Sequence, residues 1–376
     1  MLNELLSKIE YLRRTHKLLI LCHCGSPWQQ QFLAQLSENI PVMDFSNTLL
    51  REQATWQGLS FVTDLESGTT LRELQYAPGL VKHLPGKGWL ATVGQDYYVR
   101  GELERQEAPF AEGTSDAASV SFLTLPLTPS NIAPFDPAKE SLINTNLLKA
   151  TVQGDMVSDT ESGSVAFYET YLKNYAQRML MDLTTISNEV KLYRFLCAVA
   201  AGTGRLVNYA SLGKAAGISA PTAKQWLALL AGAGIVHLLQ PIESKALQRV
   251  AKAPKAYFSD TGLACYLLRI TSSAELSNSP FFDGLFENCV INKIRGSFLT
   301  IGKQPEMYFF RDSNAKEINL LLKIDDVIHP IEIAKEPASM KKLSKKFNTL
   351  ANMEAAGEGK IGQGCVISLE KIELVP

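Results

Sequence analysis

The sequence predicts an α/β protein, and three observations carry that prediction. Residues 18–22 read Leu-Leu-Ile-Leu-Cys, a near-continuous apolar run of the kind buried on both faces of a parallel sheet. Over the first 135 residues, short apolar runs alternate with amphipathic stretches, the pattern of strands joined by helices in a three-layer sheet. Further on, two short helical patterns around Gly217 precede two strand-like runs, the order of a winged helix-turn-helix.

In chain order, Leu18–Cys22 is a strand, Gln29–Leu36 a helix and Pro41–Phe45 a second strand. Leu49–Gln57 is a helix capped by Asn47 or Ser46, and Ser60–Leu65 is a third strand. A short helical piece at Gly79–Leu84 leads to a strand at Gly88–Val93. Arg100–Ala118 is polar loop, and Val120–Leu127 is the last strand of this region. Pro129–Pro137 reads as a linker. Beyond it the chain is mostly helical, broken by a loop near Gly154–Gly163, and Tyr168–Leu183 and Asn188–Ala201 are strongly amphipathic. Helices at Tyr209–Ala216 and Thr222–Gly232 then precede strands at Gly234–Gln240 and Ala256–Phe258. The remainder predicts helices at Gly262–Leu268, Phe281–Arg295 and Met340–Thr349. Its strands are Met307–Arg311, Glu317–Ile324, His329–Ile333 and Gly364–Leu369. Four units follow: 1–135, 136–203, 204–259 and 260–376.

Composition narrows the function classes. With 376 residues, formal net charge −1, 46% hydrophobic and 20% charged residues, the chain is long enough for two or three cored domains. Near-neutrality argues against a protein that coats nucleic acid, though it hides local asymmetry. No tract approaches the ~18 consecutive apolar residues of a membrane span, and Met1–Arg14 lacks the apolar core of a secretory signal, so a cytoplasmic protein is expected. Six cysteines in mostly apolar surroundings fit reduced core thiols. Cys22-His23-Cys24 has too short a spacer for a metal-ligand pair, and strand alternation puts both thiols on one packed face.

The strand–loop–helix at 17–36 is the setting of a phosphate loop, G-x-x-x-x-G-K-[ST]. On that pattern the first Gly falls on His23, the second on Trp28, the Lys on Gln29 and the Ser/Thr on Gln30; Gly25 is the one glycine left. An indole and two amides replace the close backbone approach, the ammonium and the Mg²⁺-binding hydroxyl, and Trp28 is the first candidate to fill the space.

From about residue 165 to 335 the chain resembles a family of bacterial and archaeal AAA-type ATPases. Their C-terminal half, the domain of unknown function 4143, joins a winged helix to a fold like PD-(D/E)xK nucleases. The resemblance is carried by Leu206-Val207-Asn208-Tyr209, by Lys255-Ala256-Tyr257-Phe258-Ser259-Asp260-Thr261-Gly262-Leu263, by Gly284-Leu285-Phe286-Glu287-Asn288, by Arg311 and Glu317, and by Pro330-Ile331-Glu332-Ile333. It implies an AAA-like domain at 1–135, a helical connector, a winged helix at 204–259 and a restriction-endonuclease-like α/β domain at 260–376.

The resemblance also implies ATP and Mg²⁺, and here the motifs fail. The Walker B-like segment is Arg72-Glu73-Leu74-Gln75, with a cation where the Mg²⁺-positioning Asp belongs. Thr92-Val93-Gly94 stands for the polar segment ending the next strand, and Thr114 after Gly113 replaces a phosphate-contacting arginine. Of the nuclease pattern, Glu287, Glu317 and Glu332 remain. Its Asp is Asn319 and its Lys is Ala334; Lys335 is adjacent but on the opposite strand face, from which only a bulge would bring it back. The expectation is a catalytically inactive, pseudo-ATPase binding or scaffold protein with no cofactor, metal or catalytic residue. Its expected partners are duplex DNA, another protein, or both. The alternative is an ATP-binding protein or metal-dependent nuclease with an unorthodox site.

If the winged helix binds DNA, Ser219, Thr222, Lys224 and Gln225 face the major groove. Lys245, Arg249, Lys252 and Lys255 would approach phosphates from the wing, in a span free of acidic residues. Paired lysines at 341–342 and 345–346 read as a solvated helix face, and Tyr97-Tyr98 as strand-edge packing.

Overall fold

The computed structural model describes the chain except residues 1, 38–39, 58, 64, 66–68, 95–98, 101–102, 104–119, 126–142, 157–163, 178–187, 245–250, 337–338, 370–371 and 376. Tyr97, Tyr98, Gly113, Thr114, Lys245, Arg249 and the proline-rich linker lie outside the described residues.

The N-terminal part is a three-layer α/β unit. Its elements are α1 (Leu2–Thr15), β1 (Leu18–Cys22), α2 (Pro27–Leu36), β2 (Val42–Asp44), α3 (Thr48–Gln57), α4 (Leu59–Thr63), β3 (Thr70–Arg72), β4 (Trp89–Val93) and β5 (Val120–Thr124). The five strands pair in the order β2-β3-β4-β1-β5, and every pairing is parallel. All of β1 is buried because both faces are covered. Leu19 and Leu21 meet Leu5, Ile9 and Leu12 of α1 and Phe32 and Leu33 of α2. Leu18, Ile20 and Cys22 meet Ala54 of α3 and Phe61 and Val62 of α4. The side chain of Asn47, not Ser46, accepts from the Leu49 N–H (2.9 Å) at the start of α3.

One strand is misplaced by the sequence reading. Ser60–Leu65 is not strand: α4 ends at Thr63, and the third strand lies further on at Thr70–Arg72. An apolar run this short carries no decisive period. Ser60 Oγ donates to the Gln57 carbonyl (2.9 Å), as a residue following a helix does, while Thr70 and Leu71 are the pair buried beside β4.

The second part begins with α5 (Ile143–Gln153), α6 (Ser164–Tyr171) and a π-helical turn at Leu172–Gln177. Then come α7 (Glu189–Ala201), α8 (Tyr209–Ala216), α9 (Ala220–Gly232), β6 (Val236–Pro241) and β7 (Lys255–Phe258). The C-terminal elements are α10 (Thr261–Leu267), α11 (Ser273–Ser277), α12 (Phe282–Leu299), β8 (Glu306–Arg311), β9 (Glu317–Ile324), β10 (Val327–Ile333), α13 (Met340–Phe347), α14 (Ala351–Ala355), β11 (Lys360–Ile361), β12 (Gly364–Ile367) and β13 (Ile372–Val375). Asn208 and Ser219 cap α8 and α9, and Gly217 ends α8 in the left-handed conformation (φ 69°) that glycine adopts without steric cost.

A single sheet crosses the boundary expected at 259/260. Its order is β13-β12-β10-β9-β8-β6-β7, with β11 beside β10. The wing strand β6 pairs antiparallel with β7 on one side and parallel with β8 on the other, through Gln240–Tyr308 and Pro241–Phe309. One apolar core accordingly runs from Leu148 and Tyr168 through Phe195, Leu227 and Phe258 to Phe286, Phe309 and Ile331. On the sheet's other face, α13 and α14 bury Leu343, Phe347 and Met353 against Phe310 and Leu321.

Asp260 ties the helical connector to this core. Its fully buried carboxylate accepts from Tyr168 Oη (2.6 Å) and from the N–H groups of Leu263 (2.9 Å), Asp155 (2.7 Å) and Met156 (2.9 Å). Burial raises its pKa, against the pull of these donors. Replacing Asp260 with Ala orphans the three backbone N–H groups, while Tyr168 keeps the Gln153 carbonyl (2.8 Å). The expected loss is about 3 kcal/mol or more of unfolding free energy, read as a lowered urea midpoint.

Candidate functional site

Ligands of open α/β sheets bind beyond the carboxyl ends of the strands, where the strand order reverses. Here that place is the loop after β1, between β4 and β5. Gly25 turns the chain at φ 78°, Ser26 caps α2, and Pro27 occupies its first position.

The loop is filled from within by Gln29. Its Oε1 accepts from the N–H groups of Cys24 (3.0 Å) and Ser26 (3.1 Å), and its Nε2 donates to the Leu125 carbonyl (3.1 Å). Ser26 Oγ returns the contact by accepting from the Gln29 N–H (3.2 Å), which completes a capping box. Converging backbone N–H groups are what a phosphate loop offers an anion; here a neutral amide oxygen of the same chain takes them. Trp28, the first candidate to fill this space, does not: it stacks on Phe32 (centroids 4.9 Å apart) on the α1 side of the sheet. The exposed Gln30 donates to the Gly25 carbonyl (3.2 Å).

The neighbouring strand ends are also internally paired. His23 Nε2 lies 3.1 Å from Glu73 Oε1, and Gln75 donates to the other Glu73 oxygen. Burial raises the Glu73 carboxyl, but the charge of His23 and hydrogen bonds from His23, Gln75 and Gly94 outweigh it and hold it below the usual carboxylate range. Glu73 adopts φ 56°, a costly left-handed conformation for a residue with a side chain, and its N–H meets Thr92 Oγ1 (3.3 Å). Arg72 pairs with Asp44 on the sheet edge (3.7 Å). Gln29, Gln30 and Arg72 supply neither an ammonium, nor a hydroxyl, nor a carboxylate where Mg²⁺–triphosphate needs them, so these residues do not fit that ligand.

Cys22 and Cys24 do not share a face, contrary to strand alternation, because β1 ends at Cys22 and the chain then turns. Cys22 joins the α3–α4 side of the N-terminal core and Cys24 joins the large second core. Burial pushes the Cys24 thiol up to about 12, which keeps it neutral. Tyr171 donates to the Cys24 carbonyl (2.8 Å), and Gly234 packs so closely that a Cβ there would lie 3.2 Å from Cys24 Cβ.

The second constellation is the nuclease-like one, and the fold brings its members together. Glu287 on α12 and Glu317 on β9 converge on the Lys255 ammonium of β7, at 2.8 and 2.5 Å. Lys255 is completely buried. This corrects its assignment to the wing's phosphate-facing surface: the side chain points inward because the carboxylates are there. Burial lowers the Lys255 pKa, but Glu287 and Glu317 overcome it and raise it. Tyr257, two residues along β7 and therefore on the same face, donates to Glu287 Oε1 (2.6 Å). That i, i+2 spacing is the signal in the sequence that points to Lys255. Arg311 takes the other Glu317 oxygen (2.7 Å).

Asn319 donates from Nδ2 to Glu287 Oε2 (3.0 Å) and accepts at Oδ1 from the Ile333 N–H (3.1 Å). An ionised carboxylate at this position could accept but not donate. Glu332 is held by Lys346, which reaches across from α13 and which sequence reasoning assigned to a solvated face. Burial raises Glu332, Lys346 opposes this, and nearby Glu287 and Glu317 add to the rise. Ala334 contributes only a backbone bond to Ile367. No bulge returns Lys335 to the cluster: its ammonium lies over the Phe282 ring (4.9 Å). Lys255, Arg311 and Lys346 thus balance Glu287, Glu317 and Glu332. With an ammonium already between two carboxylates and the charge cancelled, the residues present do not fit a divalent cation.

Of the winged-helix candidates, Ser219 caps α9 and shares a 2.7 Å hydroxyl contact with Thr222. Lys224 and Gln225 are exposed on α9, whose opposite face buries Trp226, Leu227 and Leu230; Lys252 is exposed as well.

Exchanging Asn319 for Asp would set two carboxylates about 3 Å apart in a buried site, which raises one pKa strongly. A folded-state pKa raised above its unfolded value favours the native state as pH falls. The Asn319→Asp variant is therefore expected to lose stability at pH 8 and regain part of it toward pH 5, measured as denaturant midpoints against wild type.

Two family models match the chain. Residues 156–274 match a domain of unknown function, DUF8612, and residues 282–373 match another, DUF4143. No curated protein matches in sequence. The first match spans the connector, the winged helix and Asp260; the second spans Glu287, Glu317, Asn319, Glu332 and Lys346.

Proposed function

We propose that this chain is a catalytically inactive, AAA-like binding protein, a pseudo-ATPase whose winged helix contacts duplex DNA. The observation that carries the first half is Gln29: its side chain occupies the hydrogen-bond donors that a nucleotide phosphate would need. The parallel sheet, with β1 between β4 and β5 and a capped helix after it, supports descent from a nucleotide-binding fold. The Lys255 ammonium between Glu287 and Glu317 supports the same reading of the nuclease-like unit.

Charge distribution supports the DNA half. Between residues 190 and 259 the only acidic residue is Glu243, while Lys191, Arg194, Arg205, Lys214, Lys224, Lys245, Arg249 and Lys252 remain besides the buried Lys255. A near-neutral chain thus concentrates cations on its helix-turn-helix and wing, as phosphate contacts require. The binding is expected to be salt-dependent, because phosphate neutralisation releases counterions.

Two measurements test the two halves separately. Calorimetric titration with ATP, with and without Mg²⁺, should give no saturable heat; micromolar, Mg²⁺-dependent binding would sink the pseudo-ATPase reading. Fluorescence anisotropy on labelled duplex DNA should show affinity falling steeply with salt. The Lys224→Ala and Lys252→Ala variants should each weaken binding and lower the log–log salt slope by about 1. Unchanged anisotropy at low salt with folded protein excludes the DNA half.

A further inference from the structure

Where the N-terminal loop meets the wing, an imidazole is held with both nitrogens out of reach of water. His237 stands on β6 opposite Tyr257 of β7, and the two rings stack with centroids 5.5 Å apart and 23° between their planes. The residue as a whole is only half-buried. Its Nδ1 and Nε2 are both shielded from solvent, and neither has a hydrogen-bond partner among the described residues. Three residues earlier, Gly234 takes φ 66° and packs against Cys24 of the N-terminal loop. Arg295 of α12 reaches the same place and acts electrostatically on both His237 and Cys24. Loop, wing strand and α12 therefore converge on this imidazole.

The groups around it do not accommodate a proton. Arg295 is permanently charged, and no described residue answers it with a hydrogen bond or ion pair. Tyr257 gives its hydroxyl to Glu287 and Tyr171 gives its own to the Cys24 carbonyl. The Cys24 thiol is neutral, and the Asp260 carboxylate that acts on it is taken by Tyr168 and three N–H groups. Protonating His237 would add a second donor without an acceptor and a like charge beside Arg295. Burial first, and Arg295 second, accordingly hold the His237 pKa well below its ordinary value. In the unfolded chain that value is about 6.5. A pKa depressed in the folded state makes the unfolded chain the better proton acceptor. Stability is thus complete above about pH 6.5 and falls as the pH drops below it. Asp260, Glu287 and Glu332, all raised by burial, act in the opposite direction, so the His237 contribution is read as a difference between variants.

We propose that His237 is an acid-sensitive latch: neutral, it lets the N-terminal loop, β6 and α12 close on one another; protonated, it opens that joint. The device is independent of the pseudo-ATPase and DNA readings. Denaturant titrations of the full chain at pH 7.5 and pH 5.5 test it. Over that range the folding equilibrium constant of wild type is expected to fall about tenfold relative to His237→Phe, which keeps a ring against Tyr257 but takes up no proton. His237→Gln should show the same pH dependence as His237→Phe, whatever its stability at pH 7.5, so a poorly fitting phenyl ring does not decide the outcome. Arg295→Gln should shrink the fall, because the repelling charge is gone. Hydrogen exchange, corrected for the intrinsic pH dependence of amide exchange, locates the opening. At pH 5.5 it should quicken in β6 and in the loop at residues 23–26, stay unchanged in α13, and show no such rise in either His237 variant. An identical pH dependence in wild type and both His237 variants, or exchange that quickens evenly over the whole chain, overturns the proposal.

Discussion

A buried ammonium holds the C-terminal half of this molecule together. Desolvating Lys255 costs several kcal/mol, and nothing in an apolar core repays that except carboxylates in good geometry. Glu287 comes from a long helix and Glu317 from the middle of the sheet, so satisfying Lys255 fixes β7, α12 and β9 relative to one another. Tyr257, Arg311 and Asn319 then complete the remaining donor and acceptor positions. Removing Lys255 leaves the buried Glu287 without a cation.

The N-terminal loop solves a related problem with neutral groups. Backbone N–H groups converging after a strand must be met by something. Gln29 meets two of them while its amide nitrogen reaches Leu125 beyond β5. In both places a side chain of the chain itself satisfies the buried polar groups: an amide meets the backbone N–H groups, and an ammonium meets the carboxylates. At the second place Asn319 adds a hydrogen bond to Glu287.

Much of the fold was legible because local patterns agreed with it. The apolar run Leu18–Cys22 allowed only a strand covered on both faces. Gly217 marked the turn between two helical patterns. The four-residue signature from Ser26 to Gln29 was readable as a capping box, but its inward second role was not, because the Cys24 N–H and the Leu125 carbonyl come together only in three dimensions. Lys255 was misread for the same reason. A lysine after a basic stretch looks solvated, and its carboxylate partners stand 32 and 62 residues away. The short apolar run at Ser60–Leu65 failed differently: too short for a period to show, it was decided by the helix it extends. The parallel pairing of β6 with β8 left no local trace, as non-consecutive strand neighbours do not.

The shared sheet has a mechanical consequence for binding. In a wing joined to its surroundings by loops, the recognition helix can tilt independently of the rest of the chain. Here β6 is clamped between β7 and β8, and the same sheet continues to β13. The helix-turn-helix therefore has no hinge of its own against the C-terminal unit. The helix pair and the C-terminal unit are joined through one continuous sheet.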